Sequence, residues 1–351
     1  MNIRKLFELM VEKQASDLFF TTYASIKIKI EGQIMSVNKT KLTPESVKEA
    51  AYSLMNVDQQ KAFTRELEID FAISEPGLGR FRVNVFHQRG NLAMVVRYIT
   101  MDMPVLEELG MPPKLAELSL LKRGLILMAG ATGHGKSTTL AAMINNCNET
   151  TAAHILTIED PIEFLHPNKK SIVNQREVGL DTVSYARALK SAVRAAPDVI
   201  QIGEIRDRET MEAAITLAGT GHLCMATLHA NNSAEALDRI INMFPTGQHK
   251  QIFLDLSQYL KAIISQRLVN AVSGRRLAAV EIMLNTPHIS ELILKGDIPA
   301  VKEALVNSTE SGMQSFDVSL LGLYKAGQIS LEDALANADS RANLEARINF
   351  G

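Results

Sequence analysis

Two adjoining stretches decide the fold: the apolar run Leu125–Ala129 and the loop Gly130-Ala131-Thr132-Gly133-His134-Gly135-Lys136-Ser137 that follows it. The loop fits GxxxxGK[ST], and Thr138 to Asn146 can form a helix behind it. Between a strand and a helix, such glycines let the chain fold back so that its N–H groups point at phosphate oxygens. The start of the helix adds a partial positive charge. Lys136 is expected to bridge the β- and γ-phosphates of ATP, and Ser137 to hold Mg²⁺. Gly130, Thr132, Gly133, His134, Gly135 and Thr138 complete the expected phosphate cradle.

A phosphate loop needs a carboxylate at the end of a neighbouring strand. Val199-Ile200-Gln201-Ile202-Gly203-Glu204 is a short apolar strand ending in an acid. Ile155-Leu156-Thr157-Ile158 runs into Glu159-Asp160-Pro161-Ile162-Glu163, where Pro161 ends regular pairing. One acid would orient the metal's water shell and another would position or deprotonate the attacking water. Glu163 and Glu204 are the candidates; Glu159 and Asp160 suit turn and cap chemistry equally well. Leu223–Leu228 is a further buried strand, flanked by His222 and His229. Histidine there can hydrogen-bond a γ-phosphate or contact a neighbouring subunit, although a histidine taken alone is more often structural.

Buried strands alternating with helices from Gly124 onward imply a parallel sheet covered on both faces. The first hundred residues read differently, as a small α+β domain. Ile3 to Val11 has helical apolar spacing; Ile26–Ile30 alternates strictly; Ile34–Val37, Ile69–Ser74, Arg80–Phe86 and Leu92–Ile99 read as strands. Thr43-Pro44 opens a helix, with Thr43 as cap, and Asp58 starts another. Arg80 and Arg82 share one strand face, and with Arg97 they could reach nucleotide phosphates through their planar forks. Pro104, Pro112 and Pro113 mark a linker. The expected organisation is therefore 1–99, a linker at 100–111, an ATPase core at 112–285 and a helical region at 286–351.

The bulk properties narrow the function classes. With 37 basic and 39 acidic residues the formal net charge is −2, which argues against a bulk nucleic-acid partner. Cys147 and Cys224 form no CxxC pair, so a zinc ribbon is not expected; two buried free thiols are. Charges at Arg4, Lys5, Glu8, Glu12, Lys13 and Asp17 break up any leader-like apolar segment. No apolar run approaches the roughly 18–20 residues that a membrane helix needs, so neither membrane insertion nor an extracytoplasmic location is expected.

The order of these blocks resembles the secretion-type ATPases of type IV pili and type II secretion, and within them the retraction branch, PilT and PilU. The carrying residues are Gly130–Ser137, the acidic box Ile158-Glu159-Asp160-Pro161-Ile162-Glu163, the Walker B stretch Ile202-Gly203-Glu204-Ile205-Arg206-Asp207, and Gly221-His222 through His229. The resemblance implies a PAS-like α+β domain, then a RecA-like P-loop domain with a helical C-terminal portion, assembled as a homohexamer. It implies ATP between the domains with arginines closing over it, Glu163 as catalytic carboxylate and Glu204 as the Mg²⁺-side acid. It also implies pilus retraction and twitching motility, a cytoplasmic location at the inner-membrane pilus base, and a PilC-like platform protein as partner. Ala131 and His134 stand where proline and serine are common in the family.

Three other readings stay open on the residues. A pilus-assembly ATPase would generally carry a further N-terminal domain and a four-cysteine zinc module. A RecA-like nucleic-acid motor would want a basic–aromatic strip. A non-catalytic ring component would not need Glu163 and Glu204. Within the retraction branch, PilT-type motors carry a helix reading AIRNLIREG. The aligned stretch here is His288-Ile289-Ser290-Glu291-Leu292-Ile293-Leu294-Lys295-Gly296. Its apolar spacing survives and its polar identities do not, which favours a PilU-like accessory ATPase working with a PilT-like paralogue.

Overall fold

The structure, a computed structural model, describes residues 2–30, 32–99, 102–308 and 310–350. Thr100 and Met101, the first residues of the expected linker, lie outside that set. The chain divides into two compact units, 1–102 with 163–165, and 103–162 with 166–351.

The first unit is built on a six-stranded antiparallel sheet. Its elements are α1 (Ile3–Glu12), β1 (Asp17–Thr21), β2 (Ser25–Ile30), β3 (Gln33–Lys41), α2 (Pro44–Leu54), α3 (Val57–Glu66), β4 (Glu68–Glu75), β5 (Gly79–Gln88) and β6 (Asn91–Ile99). The strand order is β3-β2-β1-β6-β5-β4. Alternation along β5 buries Phe81, Val83 and Val85 against Phe7 and Met10 of α1 and Val47 and Ala51 of α2. Thr43 caps α2 through a reciprocal capping box with Ser46. The cap of α3 is Asn56, paired with Gln59, so this helix begins one residue before Asp58, where the sequence placed it. The other expected strands form, each extended at one or both ends by one to four residues. Strand β1 is additional: its buried Asp17 hides it from a purely apolar reading.

The second unit contains α4 (Lys114–Ser119), β7 (Gly124–Ala129), α5 (Lys136–Thr150), β8 (His154–Glu159), β9 (Ile172–Glu177), α6 (Tyr185–Ala192), β10 (Val199–Ile202), α7 (Arg208–Gly219), β11 (Leu223–Leu228), α8 (Ser233–Asn242), α9 (His249–Tyr259), β12 (Leu260–Asn270) and β13 (Arg276–Leu284). Five helices follow: α10 (Pro287–Lys295), α11 (Ile298–Val306), α12 (Phe316–Lys325), α13 (Leu331–Ala336) and α14 (Arg341–Phe350). The sheet order is β13-β12-β7-β11-β10-β8-β9, parallel throughout except for the antiparallel pair of β12 and β13. Strands β7, β10 and β11 are buried along their whole length, as a parallel sheet covered on both faces requires. One core lies between the sheet and α6 to α11, and another between the opposite face and α4 and α5. A smaller core closes α12 to α14 over Val269 and Ala279. Cys147 and Cys224 are free and buried, as the sequence implied. Among the described residues no helix is long and apolar enough to cross a membrane.

Candidate active site

Parallel strands deliver their following loops to one edge of the sheet, and ligands of open α/β sheets bind there. The loop Gly130–Gly135 leaves β7, Glu159 ends β8, Gly203 and Glu204 follow β10, and His229 follows β11. The register aligns these ends, pairing Ala129 with Leu228, and Ile202 with both Ala226 and Ile158.

The phosphate loop owes its shape to two close approaches. Gly130 has φ +155, and a Cβ there would lie 2.7 Å from the Gln266 carbonyl oxygen. Gly135 has φ +78, and a Cβ would lie 2.9 Å from Gln266 Nε2. At Gly130 a larger residue would have to move the backbone of β12, and at Gly135 it would displace the Gln266 amide and strain a left-handed backbone. Gln266 also braces the loop through its amide: Nε2 donates to the His134 carbonyl (2.8 Å), and Oε1 accepts from the Thr139 hydroxyl (2.8 Å). Lys136 is buried and folds back on the loop, Nζ donating to the carbonyls of Gly130 (2.7 Å) and Ala131 (3.0 Å). Ser137 and Thr138, half-buried, start α5, while Thr132 and Gly133 are exposed at the tip of the loop.

Glu204 sits at the centre of the neighbouring strand ends. Its Oε1 lies 2.7 Å from His229 Nε2, and its Oε2 accepts from Arg206 (2.7 Å). Burial first, and then the positive charge of Lys136, hold His229 below the usual histidine range, with Glu204 opposing. A neutral His229 that donates from Nε2 leaves Nδ1 as an acceptor. The Gly203 turn is locked from both sides: its carbonyl accepts from the Thr227 hydroxyl (2.5 Å), and Ile205 N–H donates to the Thr227 carbonyl (2.9 Å). Asp207 then caps α7 through Thr210 N–H.

In the acidic box, Glu159 is buried and accepts from the Thr157 hydroxyl (2.7 Å) and the Gln175 amide (3.1 Å). Of the two readings open for Glu159, this geometry supports the bracing one. Ile162 N–H donates to Glu177 of β9, pinning the turn, and Glu163 stands exposed just beyond it. Tyr185 lies over the same strand ends, its hydroxyl 2.8 Å from where a Cβ on Gly203 would be. Burial, reinforced by Asp160 and Glu159, raises its phenol, so it stays protonated as a donor.

His222 does not join this cluster. It precedes β11 and therefore lies at the opposite edge of the sheet, roughly 20 Å from His229 by the length of the strand. There its Nδ1 contacts the Leu217 carbonyl (3.0 Å) and its own carbonyl accepts from Gly124 N–H (3.0 Å). It cannot reach the phosphate loop of its own chain.

The three arginines form a row in the first unit. Arg82 and Arg97 face each other across β5 and β6, and Arg97 faces Asp17 across β6 and β1. Arg97 Nε donates to Asp17 (2.9 Å), and Arg82 Nε donates to both oxygens of Asp70 (2.9 and 3.0 Å). Arg80, two residues from Arg82, shares its face.

Sequence reasoning missed Gln266 and Tyr185. The available signal for Gln266 was a polar residue inside the apolar run Leu260–Asn270; Tyr185 carried none.

The fold and the site define a RecA-like P-loop ATPase. The chain belongs to the type II/IV secretion system protein family, whose model matches residues 1–305, and within it to the PilT/PilU branch. It is 51% identical to the type IV pilus ATPase PilU of Pseudomonas aeruginosa, over 100% of this chain and 92% of that one. It is 42% identical to the retraction ATPase PilT of the same organism, over 96% and 98%. A crystal structure of the pilus retraction motor PilT with bound ADP superposes with a TM-score of 0.92 at 42% identity, covering 98% of this chain and 99% of that one. The DotB ATPase of Legionella pneumophila superposes at 0.84 with 26% identity, covering 95% and 93%.

Proposed function

We propose that this protein is a homohexameric ATPase that powers type IV pilus retraction, and hence twitching motility, as an accessory to a PilT-like motor. The observation that carries the ATPase reading is the convergence of the braced phosphate loop, Glu204 and His229 at one sheet edge. The full-length likeness to PilU carries the pilus assignment.

The residues present suit MgATP. The Gly130 cradle would be filled by any Cβ, and Lys136 already reaches for oxygen acceptors. Magnesium prefers few protein ligands and keeps several waters, which fits a serine hydroxyl and one carboxylate. Ser137 and Glu204 would hold it, and it would neutralise charge developing on the phosphates. Lys136 exchanges its loop carbonyls for the β- and γ-phosphates. Glu163, exposed beyond the acidic turn, takes the proton of the attacking water as the bond to the γ-phosphorus forms and the β–γ bridge breaks. Neutral His229 keeps Glu204 oriented. An arginine among Arg80, Arg82 and Arg97 supplies charge as the γ-phosphate leaves. His222, at the far edge, is assigned to subunit contact. The ring would sit in the cytoplasm, peripheral at the inner-membrane pilus base, against a PilC-like platform protein.

The accessory role is supported by α10. Ile289 and Ile293 are buried, and the outward residues are His288, Glu291, Leu294 and Lys295, where PilT-type motors present other polar identities. The test is genetic. Expressed as the sole retraction ATPase in cells lacking the PilT-like paralogue, the protein should give no sustained retraction of labelled pili. Adding a catalytically dead paralogue should restore it. Wild-type retraction by this protein alone would overturn the accessory role.

A further inference from the structure

Glu281 is a buried carboxylate that the mechanism above does not use. It lies at the middle of β13, 4% exposed, and directly opposite Ser265 of β12. One of its oxygens, Oε1, collects three donors: the Ser233 N–H (2.7 Å), the Ser233 hydroxyl (2.7 Å) and the Ser265 hydroxyl (3.0 Å). The two hydroxyls are themselves 3.3 Å apart. Burial raises the carboxyl, and these hydrogen bonds work against that rise.

What Glu281 touches gives it a role beyond packing. Ser233 is the first residue of α8, so its N–H is one of the helix's orphan donors, and the helix start favours an anion there. The segment entering α8 is His229-Ala230-Asn231-Asn232, a turn of four residues that begins with the imidazole on Glu204. The turn is fastened again where Asn231 N–H and its side-chain amide donate to Glu235 (3.0 and 2.9 Å). Fixing Ser233 therefore fixes the far end of the histidine turn. The second partner, Ser265, pairs with Ala129, the residue before the phosphate loop, and precedes Gln266, which braces that loop. A single carboxylate oxygen thus holds the histidine turn on one side and the phosphate-loop brace on the other.

We propose that Glu281 is a positioning residue for ATP hydrolysis, acting through Ser233 on His229 and through Ser265 on Gln266. It sets the distance between the histidine turn and the phosphate loop, on which orientation of Glu204 against bound nucleotide depends. Positioning errors of this kind cost turnover more than binding, because they fall on the geometry of the transition state.

This inference rests on the ATPase reading of the site, and the experiment separates the two. Full-length Lys136→Ala, Glu281→Leu and Glu281→Gln proteins are compared with wild type by steady-state ATP hydrolysis, fluorescent-nucleotide affinity and thermal melting. Leucine keeps the volume and removes the acceptor, whereas glutamine keeps a carbonyl acceptor in place of Oε1. Glu281→Leu is expected to lower kcat at least tenfold per folded protein with KM for ATP within about twofold, and Glu281→Gln to retain at least a third of kcat. Turnover of folded Glu281→Leu within twofold of wild type, or a KM that rises in step with the loss, overturns the proposal. So does a glutamine variant as impaired as the leucine one. Should Glu281→Leu not fold, the Ser233→Ala/Ser265→Ala double variant removes two of the three donors and is read by the same split of kcat against KM. Lys136→Ala with full turnover would sink the site reading itself, whereas an inactive Lys136→Ala beside a fully active Glu281→Leu would remove only this inference.

Discussion

Both carboxylate oxygens of Glu204 are held, one by Arg206 and the other by His229, while Glu163 is exposed and among the described residues its carboxylate makes no hydrogen bond or ion pair. An acid so held orients its neighbours; an acid left open can accept a proton. Glu163→Gln should therefore bind nucleotide normally and lose on the order of a hundredfold in turnover, because the amide keeps the shape and cannot take the proton. Glu204→Gln places an NH₂ against either Arg206 or His229 and should weaken Mg²⁺ dependence as well as rate. Magnesium titrations of both variants decide the matter; a near-normal Glu163→Gln beside a dead Glu204→Gln would reverse the roles. The histidine supplies a second prediction. Because the folded-state pKa of His229 lies below its usual value near 6.5, the folded protein binds fewer protons there than the unfolded chain. The contribution of this group to stability is thus intact above pH 6.5 and is lost as pH falls through that value towards the depressed pKa. Turnover should hold from pH 7.5 to 6.5, with its acid limb below the ordinary histidine range. A pH profile of kcat whose limb sits at 6.5 or above in the wild type, and is absent in His229→Asn, would contradict a neutral His229.

Helix α10 shows how an element divides its work between faces. Ile289 and Ile293 pack inward, and Ser290 Oγ donates to the Ser257 carbonyl near the end of α9 (2.8 Å), so the serine is fastened rather than presented to a partner. Glu291 and Lys295 form an exposed i,i+4 pair, about 60% accessible on each side, and such pairs contribute little to stability. Glu291→Arg should consequently leave ATP turnover within about twofold and the melting temperature within about 2 °C, while impairing retraction in cells that also contain the paralogue. Retraction at the wild-type level would deny this face a docking role. The elements also explain what could be read from the chain. Strands β7, β8, β10 and β11 are continuous apolar runs and were legible, as were the caps at Thr43 and the loop at Gly130. Strands β9, β12 and β13 were not. The edge strand β9 reads Ile172-Val173-Asn174-Gln175-Arg176-Glu177, polar because one side is open and because Gln175 and Glu177 brace the acidic box. In β12 and β13 the apolar pattern is broken by Ser265, Gln266 and Glu281, all buried. Those interruptions are the residues that hold the site together, so the polar positions that hide the strands from a periodicity search are the ones that serve the chemistry.

Each unit has its own core: that of the first runs from Ile3 to Val96, and those of the second begin at Leu106. Separate cores of this size are what independently stable domains possess. The phosphate loop, Glu204, His229, Gln266 and Glu281 all belong to the second unit, whereas the proposed arginines all belong to the first. A fragment from Met103 to Gly351, which also carries the 163–165 stretch of the first unit, should therefore fold and bind nucleotide through its phosphate loop, since the contacts described above between the loop, Lys136, Thr139 and Gln266 are internal to it. If one of the arginines acts on the γ-phosphate, the fragment should turn over ATP at least tenfold more slowly than the full chain, with nucleotide affinity reduced far less, because that charge counts most as the phosphate departs. The single variants then identify the residue. Arg82→Ala removes the guanidinium from Asp70, and Arg97→Ala leaves the buried Asp17 with only the Ser16 hydroxyl, so both should lower the melting temperature; Asp17, the more deeply buried of the two acids, should make Arg97→Ala the costlier. A loss of turnover at a temperature where the variant is still fully folded is the signature sought, and it is expected for at most one of Arg80, Arg82 and Arg97. Undiminished hydrolysis by the 103–351 fragment, measured at a protein concentration where it assembles as the full chain does, would remove all three from the mechanism.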